Sequence, residues 1–160
     1  MSGTNLDRID TKILQQLAIN GRTSNLELAN IVRLSPTPCA RRVKRLEESG
    51  IIRRYAAVTD KQKMGLTLTA YISISMDRHT PDRFENFEAA IQDMTEIVEC
   101  ALVTGQAADY LLKALLPDMA HYEAFLLGKL TKIDGVSGVH SSFVLRELDL
   151  SERLPGGPQR

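Results

Sequence analysis

The chain carries no net charge, no long hydrophobic run and few cysteines, and each lack narrows what it can be. Its apolar runs fall far short of the ~18 residues that cross a bilayer. Its first residues, MSGTNLDRID, show no basic-then-apolar leader. A soluble, cytoplasmic protein without membrane contact is therefore expected. The two cysteines, Cys39 and Cys100, lie far apart with no CxxC or Cys/His cluster, which argues against a disulfide framework or a zinc site. His140 is read as a strand residue, and no metal or cofactor is expected. A nucleophile elbow, a phosphate-binding glycine loop and paired carboxylates in an obvious cleft are all missing, so no enzyme is expected. There is no internal repeat. What remains is a 160-residue chain whose 43% hydrophobic content is ample for a globular core.

The zero net charge conceals an asymmetry. Residues 1–60 hold 10 Lys and Arg against 6 Asp and Glu, a surplus of +4; residues 61–160 hold 10 against 14, a deficit of −4. Six of the basic residues fall within the fourteen positions from Arg41 to Arg54. An excess confined to one end points to nucleic acid at that end.

The hydrophobic spacing there describes three helices. In LDRIDTKILQQLAIN, Leu6, Ile9, Ile13, Leu14 and Leu17 recur every three or four residues, and Gly21 ends the run. Thr23 or Ser24, with Glu27 near the capping-box position, opens a short second helix. Ser35-Pro36 opens the third, because proline has no N–H to leave unpaired at the first helical position. At 100° per residue, Cys39, Val43 and Leu46 form its core stripe. Thr37, Arg41, Lys44 and Arg45 lie opposite, with Pro38 and Arg42 on the flank, and Gly50 stops the helix. Next, IIRRYAAV has strand character and is read as a wing carrying Arg53 and Arg54.

This is the pattern of a winged helix-turn-helix, whose last helix enters the major groove of DNA. Ser35, Thr37, Pro38, Arg41, Arg42, Lys44, Arg45, Arg53 and Arg54 are the DNA-contact candidates. Thr37 and Arg41 suit base edges; Arg42, Lys44, Arg45, Arg53 and Arg54 suit phosphates. The bland alternative is a solvated basic face paired with Glu47 and Glu48 at helical spacing. Two functional alternatives stand beside it: a non-catalytic interaction module gripping an acidic partner with the basic helix, and an enzyme on the second domain's fold.

Domain boundaries are expected at 1–59 for the helix-turn-helix, 60–65 for a hinge, 66–150 for a second domain and 151–160 for a mobile tail. The second domain reads as LTAYISISM (strand), TPDRFENFEAAIQDM (helix), EIVECALVTG and DYLLKALL (strands), a helix from Met119 to Ile133, and the strand VSGVHSSFVLREL. That order, β-α-β-β-α-β, is ferredoxin-like, an α+β fold with both helices on one side of an antiparallel sheet. Ile97, Ala101, Val103, Leu111, Leu115, Phe143 and Leu145 make the later strands apolar on both faces. A large apolar patch is therefore expected on the uncovered side, closed by a second copy of the chain.

Taken together, LDRIDTKILQQL, NGRTSNLELA, LSPTPCARRVKRLEESGIIRRY, LVTGQAADYLLKALLPD and GVSGVHSSFVLRE resemble the Lrp/AsnC, or feast/famine, family of regulators across nearly the whole chain. The resemblance implies a transcription regulator on promoter DNA, a sheet domain that dimerises and senses amino acids, and assemblies of dimers, often octamers (tetramers of dimers). It implies an amino-acid effector bound in clefts where dimers meet, near the turn after the second strand. By motif that points to Thr104, Gly105, Asp109 and Tyr110, with Ser141 and Ser142 of the last strand nearby. The chemistry suits a zwitterion: Asp109 offers an anion for the ammonium and the Gly105 turn offers N–H groups for the carboxylate. The turn 106–110 is one residue longer than the family's common form.

Overall fold

The computed structural model describes residues 6–105 and 108–148; the tail expected at 151–160 lies outside them. The chain divides into two compact units, one ending at Val58 and one spanning Thr59–Glu147.

The first unit holds α1 (Arg8–Ile19), α2 (Asn25–Val32) and α3 (Pro36–Glu48). Each start has a local cause. Asp7 accepts from the N–H groups of Ile9 and Asp10, both at 2.8 Å, while its own N–H donates to the Asp10 carboxylate at 3.2 Å. This reciprocal capping box satisfies donors that the first helical turn leaves orphaned. Ser24 and Glu27 form the second such box, with bonds of 3.2 and 2.7 Å. Gly50, at φ 74°, turns the chain out of α3. Ile13, Leu28, Ala29, Val32, Cys39, Val43 and Leu46 form the core.

Residues 51–58 depart from the expected wing strand. Ile51 and Ile52 pack on the core, and the Ile52 N–H bonds to the Leu46 carbonyl at 3.0 Å. Beyond them the segment is exposed, and no strand is formed there. Its β-branched and aromatic composition favours a strand, but a strand needs a neighbour for its backbone groups, and the described residues of this unit offer none.

The second unit holds β1 (Leu68–Met76), α4 (Pro81–Gln92), β2 (Ile97–Leu102), β3 (Tyr110–Leu116), α5 (Met119–Gly128), a 3₁₀ turn (Leu130–Lys132) and β4 (Val136–Phe143). The strands pair antiparallel in the order β2-β3-β1-β4, the ferredoxin-like topology. Both β2 and β4 are shorter than their apolar runs. Leu102 pairs with Tyr110, and the Val103 N–H to Asp109 carbonyl bond (2.8 Å) then closes the hairpin. Phe143 pairs with Ala70, and a last bond from Val144 reaches Thr69.

One sheet face carries Ala70, Ile72, Ile74, Tyr110, Leu112 and Ala114, all buried against Phe87, Ile91, Tyr122, Phe125, Leu130 and Ile133. Ile97 and Phe143 belong to this covered side, Phe143 meeting the Tyr122 ring edge-on at 4.9 Å. The expectation of a large apolar open face is thereby corrected. In register, the open face presents Tyr71 with Lys113 and Ser142, Ser73 with Leu111 and His140, and Leu115 with Thr69. Its apolar content comes from Tyr71, Val98, Ala101, Leu111 and Leu115. Lys113 ion-pairs with Glu99 and Glu147 across it, and Lys61 reaches Glu147 and Thr69.

Candidate nucleic-acid interface and effector site

The exposed face of α3 is built from its first two turns. Pro36 and Pro38 lack N–H groups, and the Cys39 N–H returns to the Ser35 carbonyl at 3.3 Å. Thr37 thus keeps the one backbone donor free in the first turn, beside its own hydroxyl. Ser35, at the cap, makes no side-chain capping bond, so its hydroxyl is free as well. Ser35, Thr37, Pro38, Arg41 and Lys44 are all exposed. Among the described residues Arg41 has no ion-pair partner, whereas Lys44 sits 3.6 Å from Glu48, a solvated pair of little energetic weight. Arg53 and Arg54 are exposed beyond the helix.

Arg42 and Arg45 are placed differently from the phosphate-facing role expected of them. Arg42 donates to Asp7 at 2.6 Å and to Asp10 at 2.8 Å, and Arg45 donates to the other Asp10 oxygen. Asp10 itself is 1% exposed. The backbone N–H of Asp10 and the Arg42 guanidinium hold the Asp7 carboxyl down at about 2, and the two carboxylates raise the Arg42 guanidinium further above its ordinary value. Both arginines are thus tied to α1. Asp7 and Asp10 are the partners of the basic helix that the hydrophobic spacing misses; the signal for them is an Asp-x-x-Asp pair at a helix start facing arginines 32 to 35 residues later.

The effector candidates do not form one cluster within a single chain. Thr104 and Gly105 are exposed beyond β2, while Ser142 is exposed on β4, and these strands are the two edges of the sheet. Three strand spacings separate them, about 14 Å. Tyr110 is 1% exposed on the covered face, its ring 4.5 Å from that of Phe87 and its hydroxyl donating to Glu88 at 2.7 Å. Burial, with Glu88 beside it, pushes its phenol well above the usual range. Tyr110 is a core residue, because alternation puts it on the opposite face from Leu111. Ser141 is likewise on the covered side, accepting from the Tyr122 hydroxyl.

Asp109 is half-committed. One carboxylate oxygen accepts from the Met76 N–H at 2.7 Å, tying the β2–β3 turn to the end of β1. The other lies 2.8 Å from Nε2 of His79, whose side chain is 71% exposed. Among the described residues no group of His, Cys, Asp and Glu is placed to hold a metal ion.

A capped three-helix unit with a basic exposed helix, joined to a ferredoxin-like domain with an acid at its hairpin turn, defines a two-domain protein that couples DNA to a small-molecule sensor. The comparisons with known proteins agree. Residues 6–53 match the winged helix-turn-helix DNA-binding model and residues 69–154 the Lrp/AsnC ligand binding domain. The leucine-responsive regulatory protein of Salmonella typhimurium is 44% identical over 152 residues, 95% of this chain and 92% of that protein; the Escherichia coli K12 protein of the same name is 43% identical. Among solved structures, a transcriptional regulator from Neisseria meningitidis, crystallised with L-methionine, superposes with a TM-score of 0.89 at 43% identity, covering 94% of this chain and 97% of that one. An AsnC family regulator from Agrobacterium tumefaciens gives 0.87 at 35% identity, with the same coverage of each chain. The chain belongs to the Lrp/AsnC family of DNA-binding transcriptional regulators.

Proposed function

We propose that this regulator reads a specific DNA sequence with the exposed face of α3 and that an amino acid, bound at the β2–β3 turn, alters that reading. The observation that carries the proposal is the grouping of Ser35, Thr37, Arg41 and Lys44 on the first turns of α3, all exposed, with Arg41 free of any described ion pair. Arg41 and Thr37 have the chemistry for base edges; Lys44, Arg53 and Arg54 supply phosphate contacts. One helix-turn-helix reads few base pairs, so a homodimer on a palindromic site, and assemblies of dimers, follow as the working form. The open face around Tyr71, Leu111 and Leu115 is the surface for that pairing.

For the effector, the support is the reachable oxygen of Asp109 beside the exposed Thr104-Gly105 turn, together with the L-methionine complex of the Neisseria relative. Ser142 lies too far away in the same chain to share that ligand and would join only from a second copy. No helix of the described residues is long and apolar enough to cross a membrane, and a cytoplasmic location fits this function.

The test is a gel-shift titration on a duplex selected from a random library by the wild-type protein. Arg41→Ala should weaken binding and relax base preference, while Arg53→Ala should weaken it almost equally on all sequences. Equal, salt-independent affinities for wild type and both variants would sink the assignment. Calorimetry with L-methionine and L-leucine tests the second part: Asp109→Asn keeps an acceptor for the Met76 N–H but removes the charge, and should abolish amino-acid binding while sparing DNA binding.

A further inference from the structure

The DNA-binding unit holds one buried charge for which its part in the α1 capping box does not account in full. Asp10 lies in the first turn of α1 at 1% exposure and takes Arg42 on one oxygen, Arg45 and the Asp7 N–H on the other. A carboxylate buried so deeply is stable only when paired, and an apolar residue would serve the packing as well. What distinguishes Asp10 is the identity of its partners. At 100° per residue Arg45 falls about 40° from Arg41 and about 80° from Thr37, on the rim of the exposed face of α3. It is 49% exposed, within reach of that face, yet its guanidinium is turned to α1. Arg42 is held on the same side by both acids.

We infer that Asp10 is a specificity-determining positioning residue: by holding Arg42 and Arg45 against α1, it withdraws two cations from the phosphate-binding surface. This leaves Thr37, Arg41 and Lys44 to meet the DNA. Phosphate contacts bind every sequence alike, whereas base-edge contacts discriminate. Removing two potential phosphate contacts lowers affinity for random DNA without touching the residues placed for base edges, so the ratio of specific to non-specific binding rises. The same bonds fix the rotation of α3 about its axis relative to α1, which sets where Arg41 points.

The inference rests on α3 being the DNA-contacting helix, and the two ideas fail differently: an indifferent Arg41→Ala sinks the helix assignment, whereas the results below concern Asp10 alone. The experiment uses the full chain and fluorescence anisotropy on two duplexes of equal length, one selected in vitro by the wild type and one scrambled, over a range of salt. Asp10→Asn keeps the side-chain shape and removes the charge. On scrambled DNA its salt slope should steepen by about 0.9 for each arginine released, or about 1.8 for each bound unit if both are. Between about 0.05 and 0.2 M salt, that larger slope corresponds to about tenfold more affinity lost. The preference for the selected duplex should fall. Adding Arg42→Gln and Arg45→Gln to Asp10→Asn should return the slope to that of wild type, while Arg45→Gln alone should leave the wild-type slope unchanged. An Asp10→Asn slope equal to wild type, or an Arg45→Gln slope shallower by about 0.9, overturns the inference. A purely structural Asp10 would move the melting temperature and leave the slope in place. If Asp10→Asn fails to fold by circular dichroism, the Arg45→Gln slope decides.

Discussion

Arg42→Ala separates stability from DNA contact more sharply than any other single change in the basic segment. The substitution deletes the guanidinium that bonds both acids, at 2.6 and 2.8 Å, and leaves Asp10 at 1% exposure with Arg45 and the Asp7 N–H as its remaining partners. A buried acceptor that loses a charged donor forfeits about 1–3 kcal/mol. Because Arg42 is about a quarter exposed and Asp10 retains Arg45, the lower half of that range applies, roughly 1–2 kcal/mol. Spread over a helical unit of this size, each kcal/mol lowers the melting temperature by about 4–8 °C, so a fall of about 5–15 °C is expected for the transition of the first unit. Scanning calorimetry of the full chain reads that transition. Anisotropy titration at a temperature where the variant is still folded should then give a DNA affinity within about threefold of wild type, against a larger loss for Arg41→Ala. An unchanged melting temperature joined to a large loss of affinity would reverse the roles assigned here, making Arg42 a phosphate contact and its bonds to Asp7 and Asp10 incidental.

The acid limb of stability tests the same cluster. Asp7 titrates at about 2 in the folded chain against 3.8 unfolded; its folded value is depressed, so its contribution is fully present above about pH 4 and is lost as pH falls toward 2. Asp7→Asn should flatten stability across that window in urea titrations, and an unaltered acid limb would contradict the assignment. Arg33, which ends α2 in the left-handed region at φ 59° without being glycine, stores local strain; Arg33→Gly should raise stability by about 0.5–1 kcal/mol in the same assay once glycine's extra chain entropy is offset. Tyr110→Phe removes the hydroxyl bonded to Glu88 inside the covered face. It should lower stability by about 1 kcal/mol while calorimetric amino-acid affinity stays unchanged, and a lost affinity would restore Tyr110 to the effector site.

Much of this fold is legible in the sequence because its signals are local. Ser24 and Glu27 cap one helix, Pro36 and Pro81 open two others at the first helical position, and strict alternation from Leu68 to Met76 fixes both the limits and the buried face of β1. Alternation also locates the covered residues Tyr110, Leu112, Ala114 and Leu116 on β3, and applied strictly it puts Tyr110 on the opposite face from Leu111. Family motif runs against alternation at that point, and alternation describes the chain. The segment 51–58 shows the limit of local reading, since strand composition does not form a strand without a hydrogen-bonding neighbour.

The basic helix exposes a different limit. Hydrophobic spacing sorts α3 into a buried stripe and an outward arc with Arg42 on its flank, and it carries no sign of which cations an acid holds. They are divided by a residue more than thirty positions earlier: Asp10 meets Arg42 and Arg45 only because α1 and α3 pack together through Ile13, Cys39, Val43 and Leu46. The charge surplus of the first sixty residues therefore overstates what the DNA meets. With Arg42 and Arg45 held by carboxylates, Arg41, Lys44, Arg53 and Arg54 remain exposed, Lys44 alone with an acid nearby. A salt slope near three phosphates per bound unit, about 2.7, from Lys44, Arg53 and Arg54 fits that arrangement, while one near five, about 4.5, would mean that the acidic pair gives up both arginines when the helix docks.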